Sequence, residues 1–210
     1  MNEWLPTLSL ALGSAWTSGI NLYATVTVLG LLQKFGAIDK FQNGLGVLDN
    51  WWIIGVAGFL YAIEFFADKI PYVDSVWDVV HTFIRVPAGA IVAYAATNQM
   101  DESVGVIATL LGGGLAFSSH GTKAAVRAGA NLSPEPVSNW VLSLAEDGIA
   151  FVGVILAVFA PVLIAIGLII FVIFFVWFAP KVFRAVRRIF SAIRAIFAGE
   201  SFKEVARKAP

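Results

Sequence analysis

Ionisable side chains gather in the middle of an otherwise apolar chain. Glu64 and Asp68 stand four residues apart, and Asp74, Asp78, His81 and Arg85 follow at spacings of four, three and four. On helices each set forms one polar stripe, because residues three and four apart share a face. Pro71 lies between the sets and lets the two stripes converge at a turn. His120, Lys123 and Arg127 repeat the spacing later on, and Glu146 and Asp147 complete the group.

Three chemistries suit these residue types. Carboxylates with imidazole could hold a divalent cation, whose ligands are oxygen and nitrogen. Ser18, Asn21, Arg85, Ser119, His120, Lys123 and Arg127 could bind a small anion or a lipid phosphate. Glu64, Asp68, Asp78, His81, Glu146 and Asp147 could relay protons or couple transport to a cation. The alternative is an internally paired structural network, for example Asp78–Arg85 or Glu146–Lys123.

Enzyme templates fit badly. Ser118-Ser119-His120 resembles part of a lipid-phosphatase signature, but the accompanying Lys-x6-Arg-Pro motif is absent. No metalloprotease HExxH and no phosphate-binding Walker loop occurs. The chain has no cysteine, which excludes thiolate catalysis, disulfides and Cys-rich metal sites.

The elements that must position these residues follow from composition. Of 210 residues, 59% are hydrophobic and only 13% charged, and the mean hydropathy is +0.82. A soluble fold of this length cannot bury so much apolar surface. Disorder and nucleic-acid binding are excluded, and an all-α polytopic membrane bundle is implied. Ionisable groups inside a bilayer cost several kcal/mol each, so they need partners or a function.

A crossing takes about 20 apolar residues. Six stretches qualify wholly or nearly: Leu5–Leu32, Trp51–Phe66, Val76–Ala96, Val104–Ala130, Trp140–Phe159 and Val162–Ala179. The last two share an uncharged run that Pro161 is expected to break. Continuous apolar runs, rather than alternation, argue against a β-barrel. Positions 1–33 hold no Lys or Arg, so the first segment is expected to remain in the mature protein rather than be cleaved as a signal.

Segments one and four carry unusual Gly and Ser. Aligned at an offset of 101, Gly13, Ala15, Ser18 and their neighbours lie over Gly114, Ala116 and Ser119. Each copy opens a block of three segments, so two inverted repeats are expected, one over about 5–97 and the other over about 104–180. Paired Gly-interrupted segments point to a transporter-type site between repeats. A broken or re-entrant helix is expected in each copy. In the second, the helix should restart near Gly121, with its N-terminal end facing Ser18–Asn21. Close helix packing through small residues is the competing explanation.

Residues 1–180 form the expected membrane domain and 181–210 a basic tail. The first part holds six Lys/Arg against twelve Asp/Glu, the tail eight against two. Lys and Arg collect on the cytoplasmic side, so a multi-pass inner-membrane protein with both termini cytoplasmic is expected. In the tail, Phe183, Val186, Ile189, Phe190, Ile193, Ile196 and Phe197 share one face. That pattern fits an amphipathic helix on anionic lipid; the alternative is packing on a partner.

Gly13-Ser-Ala-Trp16-Thr-Ser18-Gly19-Ile-Asn21-Leu-Tyr23, the Glu64-to-Arg85 block, and Ser119-His120…Lys123…Arg127 together resemble a family of small bacterial integral membrane proteins, domain of unknown function 4126. The resemblance covers about residues 8–175. It implies membrane placement and brings no activity.

The expected function is a small transporter or channel-like carrier for a small anion or lipid phosphate. The alternatives are a metal-dependent membrane enzyme acting on a lipid headgroup through Glu64, Asp68, Asp78 and His81, and a structural or assembly subunit. No cofactor beyond a divalent cation is implied, and a homo-oligomer is compatible with each reading.

Overall fold

A computed structural model describes residues 4–37, 44–70, 72–131 and 136–197. Pro71 and the tail beyond residue 197 therefore lie outside the described residues. The helices are α1 Trp4–Ile20, α2 Leu22–Lys34, α3 Trp51–Ala67, α4 Val73–Ala96, α5 Glu102–Ala130, α6 Pro136–Phe159 and α7 Pro161–Phe197. A 3-10 turn, Gly44–Asp49, precedes α3. No strand occurs among the described residues. Four helices, α4 to α7, are long and apolar enough to cross a bilayer, and α3 is a shorter apolar helix of 17 residues. The chain is an all-α membrane bundle.

Two compact units divide the chain at residues 168 and 169. In the second, α7 runs on through Pro180 without interruption. Phe183, Val186, Ile189, Phe190 and Ile193 are all exposed; the side chains of Ile196 and Phe197 lie outside the described set. Lys181 Nζ sits 2.7 Å above the Trp177 ring.

In the first unit, α1 lies at the centre, packed against α4, α5 and α6. Small residues allow the approach. A Cβ on Gly89 would lie 2.5 Å from Ala116 Cβ and 3.1 Å from Ser18 Oγ. One on Gly153 would lie 2.5 Å from Thr17 Cγ2, and one on Gly13 2.8 Å from Ala157 Cβ. Without a hydrophobic driving force between helices in lipid, such close backbone contact is a main source of association.

The first segment does not run straight from Leu5 to Leu32. Asn21 is extended (φ −146°, ψ 99°) and separates α1 from α2. Gly19 and Ile20, ending α1, meet Arg85 and Lys123, and Tyr23, opening α2, meets His81. By Gly30 the chain is beside Leu48, in the turn that also packs against Ala95 at the far end of α4. So α2 returns alongside α1, and the segment is a helical hairpin with Asn21 at its tip. Its arms of 17 and 13 residues are about 25 and 20 Å long, short of the roughly 30 Å hydrocarbon layer. A re-entrant element thus replaces the crossing expected there. Single cysteines at Trp4 and Asn98, in a chain otherwise free of cysteine, are expected to label from the same side of sealed vesicles. Opposite-side labelling would remove the hairpin.

The expected break in segment four is not found. The helix α5 is continuous over Glu102–Ala130, with no restart near Gly121. The reason is energetic. Three glycines weaken a helix by roughly 1 kcal/mol each, whereas each unpaired backbone group in an apolar surrounding costs several kcal/mol. Gly112 is a packing surface against Ala93 of α4, while a Cβ on Gly114 or Gly121 would meet nothing within 4 Å. Ser118, Ser119 and Thr122 hydroxyls donate to the carbonyls of Leu115, Ala116 and Ser118, within the same helix. The break at Asn21 is tolerated because its ends are satisfied: the Asn21 side-chain oxygen accepts from Ala24 N at 2.9 Å, capping α2. Thr122, which aligns with Asn21 at the offset of 101, provides no such cap.

Candidate functional site

The hairpin tip brings Asn21 into a layer where α3, α4, α5 and α6 all present ionisable groups. Helical spacing produces the layer. Glu64 and Asp68 leave α3 on one side, Asp74, Asp78, His81 and Arg85 line α4, His120, Lys123 and Arg127 line α5, and Glu146 and Asp147 come from α6. All of these side chains are buried. Ser18 and Ser119 are buried beside them, and Ser119 Oγ donates to Trp16 O at 2.8 Å, fastening α5 to α1. The fourteen residues singled out from the sequence thus lie together around one end of the α1–α2 hairpin.

Three cations organise the layer. Arg85 Nη2 donates to Glu64 Oε1 at 2.5 Å, and its Nη1 reaches Asp78 Oδ1 at 3.3 Å, His120 Nδ1 at 3.0 Å and Gly19 O at 3.4 Å. Lys123 Nζ donates to Asp68 Oδ2 at 2.9 Å and Ile20 O at 3.3 Å, and pairs with Glu64 at 3.4 Å and Glu146 at 3.5 Å. Arg127 grips Glu146 through both Nε and Nη2, Asp68 Oδ2 at 3.0 Å, and Asp74 Oδ2 at 3.6 Å. The Asp78–Arg85 and Glu146–Lys123 pairs foreseen for a structural network are both present. Arg85 and Lys123 also cap the last carbonyls of α1, where the helix dipole favours positive charge.

Hydrogen bonding fixes His120 as neutral and orients His81. His120 Nε2 lies 3.0 Å from Asp78 O, an acceptor, so it carries the proton and leaves Nδ1 to accept from Arg85. His81 Nδ1 lies 2.7 Å from Trp77 O and carries a proton, and Nε2 shares a hydrogen bond with the Tyr23 hydroxyl at 3.0 Å. The Trp77 ring stacks on His81 at 4.2 Å.

Several partners escaped sequence reading. Tyr23 reaches His81, and Thr82 meets His120 at 2.8 Å. Asn131 donates to Asp74 at 3.0 Å and accepts from Asn139 at 2.6 Å. Lys69 donates to Ser143 Oγ at 3.2 Å. Apart from Lys69 these are neutral groups, half-buried or buried, and nothing in a list of residue types marks them as partners.

Charge is not balanced within the layer. Glu64, Asp68, Asp74, Asp78 and Glu146 share Arg85, Lys123 and Arg127, so carboxylates outnumber the cations that pair with them. Glu64 Oε2, Asp68 Oδ1 and Asp78 Oδ2 are buried without a hydrogen-bond partner. Among the described residues no three His, Asp or Glu side chains converge as a metal site; the carboxylates turn to Arg and Lys instead.

The family described as domain of unknown function (DUF4126) matches residues 8–181. No curated protein and no solved structure matches the chain.

Proposed function

The chain belongs to the DUF4126 family, and from the hairpin tip set in its charged layer we propose that it is a small membrane carrier or channel-like transporter for protons or small cations. The observation that carries this reading is the interrupted segment at Asn21. Irregular backbone at membrane depth is tolerated only where it is buried in protein or lines a watery cavity, and transporters place their ion sites at such breaks. Here the break meets a layer with an excess of carboxylates. An anion or lipid phosphate, the substrate expected from sequence, fits less well. It would have to displace a carboxylate from Arg85, Lys123 or Arg127, each of which is already paired.

The proposed location is the bacterial inner membrane, with the basic tail at the cytoplasmic leaflet among anionic lipids. A hairpin that does not cross leaves Trp4 on the side of Asn98, where Lys34 is the one Lys or Arg among the described residues. That scarcity of positive charge points to the outer face, which revises the cytoplasmic N-terminus expected from six crossings.

Reconstituted vesicles with a trapped pH dye test the proposal. An imposed pH or cation gradient is expected to drive flux well above that of empty vesicles. Asp78→Asn should lower it at least tenfold, with little change in melting temperature, because Asp78 holds Arg85 only through a 3.3 Å bond. The extensive pairing of charges favours a second reading, a structural subunit. On that reading wild-type vesicles carry no flux and Asp78→Asn acts on stability alone.

A further inference from the structure

Asp147 differs from every other carboxylate in the layer. It is 6% exposed, yet among the described residues no Lys or Arg lies within ion-pair distance of it. Asn21 Nδ2 donates to its Oδ1 at 3.0 Å, while Oδ2 is buried with no hydrogen-bond partner. The surrounding groups come from each packed element. Tyr61 and Glu64 face it from α3, Asp68 and Lys69 from the turn after α3, Lys123 from α5 and Asn21 from the hairpin tip. A carboxylate ion in this place would be desolvated, with Glu64 and Asp68 opposing it and Lys69 and Lys123 facing it only from beyond ion-pair distance; a neutral carboxylic acid would not carry the cost of desolvation.

We propose that Asp147 is the exchangeable proton site of this protein, read by the hairpin through Asn21. The proton sits on Oδ2, leaving Oδ1 as the carbonyl oxygen that accepts from Asn21. On release the O–H bond breaks, its electron pair stays on the carboxylate, and the proton passes to water. The new negative charge then strengthens the bond from Asn21, whose other side-chain atom caps α2. Protonation and the hairpin tip are thus linked through one amide. The role of this proton in transport rests on the carrier reading, whereas its presence does not.

Infrared difference spectroscopy of the full-length protein in lipid nanodiscs, titrated from about pH 5 to 9, tests this. The wild type is expected to lose one protonated-carboxyl carbonyl band as pH rises, and Asp147→Asn should lack that band while remaining monodisperse. Asn21→Ser keeps a capping oxygen but cannot reach Asp147. Losing a donor to the charged form should raise the midpoint by about one pH unit, a tenfold gain in proton affinity. No titrating band in the wild type, a band that survives Asp147→Asn, or an unmoved midpoint in Asn21→Ser would each overturn the proposal. A normal band with no flux in vesicles would instead remove the carrier reading and leave the proton site standing.

Discussion

Arg127→Met is expected to destabilise the bundle by about 3–5 kcal/mol, the cost of removing one partner from a buried ionic network. The guanidinium faces Glu146, Asp68 and Asp74 and also donates to Asp68 O at 2.6 Å. Methionine keeps an apolar stem but leaves three acids without their shared cation. Lys123 can still reach Asp68 and Glu146, but it lacks the planar fork that serves both at once. Asp74 keeps the Asn131 amide and its local bonds from Ser75, but no cation. Thermal unfolding in detergent measures the loss, with Lys34→Met as reference. Lys34 is exposed, and removing an exposed charge changes stability by about 1 kcal/mol or less. A melting temperature for Arg127→Met equal to that of Lys34→Met would mean that the layer is hydrated in the membrane.

The size of that effect depends on convergence, and convergence was the part most open to sequence reasoning. Apolar runs located the helices because lipid permits little else. The four-three-four spacing of Asp74, Asp78, His81 and Arg85 fixed which side of α4 would be polar. Since an isolated charge in a bilayer is costly, those stripes had to face one another, and α3, α4, α5 and α6 do bring them together. The Gly112-Gly113-Gly114 run misled for a physical reason. Glycine weakens a helix in water, but beside α4 it allows close packing and the backbone keeps its bonds. Whether glycine breaks or packs is decided by the neighbouring helix, and sequence does not name the neighbour. The reversal at Asn21 was hidden for a related reason. A helix kink and a hairpin need the same residues at the break, and only the positions of Tyr23 and Gly30 along α4 and its turn distinguish them.

Arg85 and Glu64 offer the sharpest separation of stability from function, because both are 0% exposed and joined at 2.5 Å. Arg85→Met alone should cost about 3–5 kcal/mol, since Glu64 and Asp78 lose their strongest donor in a dry site. Glu64→Leu alone should cost less, about 1–3 kcal/mol. Arg85 then retains Asp78, His120 and Gly19 O, and Lys123 retains Asp68 and Glu146. In the double variant the two apolar side chains replace the pair, and a coupling of about 1–3 kcal/mol should return much of the lost stability. Replacing a buried ion pair by hydrophobic residues of similar volume is often neutral or stabilising. Flux then gives the second coordinate. If the layer only holds helices together, the double variant recovers whatever the wild type does along with its melting point. If ions pass the hairpin tip, recovery of the fold leaves flux lost, because Arg85 no longer caps Gly19 O and the carboxylate at Glu64 is gone. A stable double variant with wild-type flux would exclude this part of the layer from the transport path.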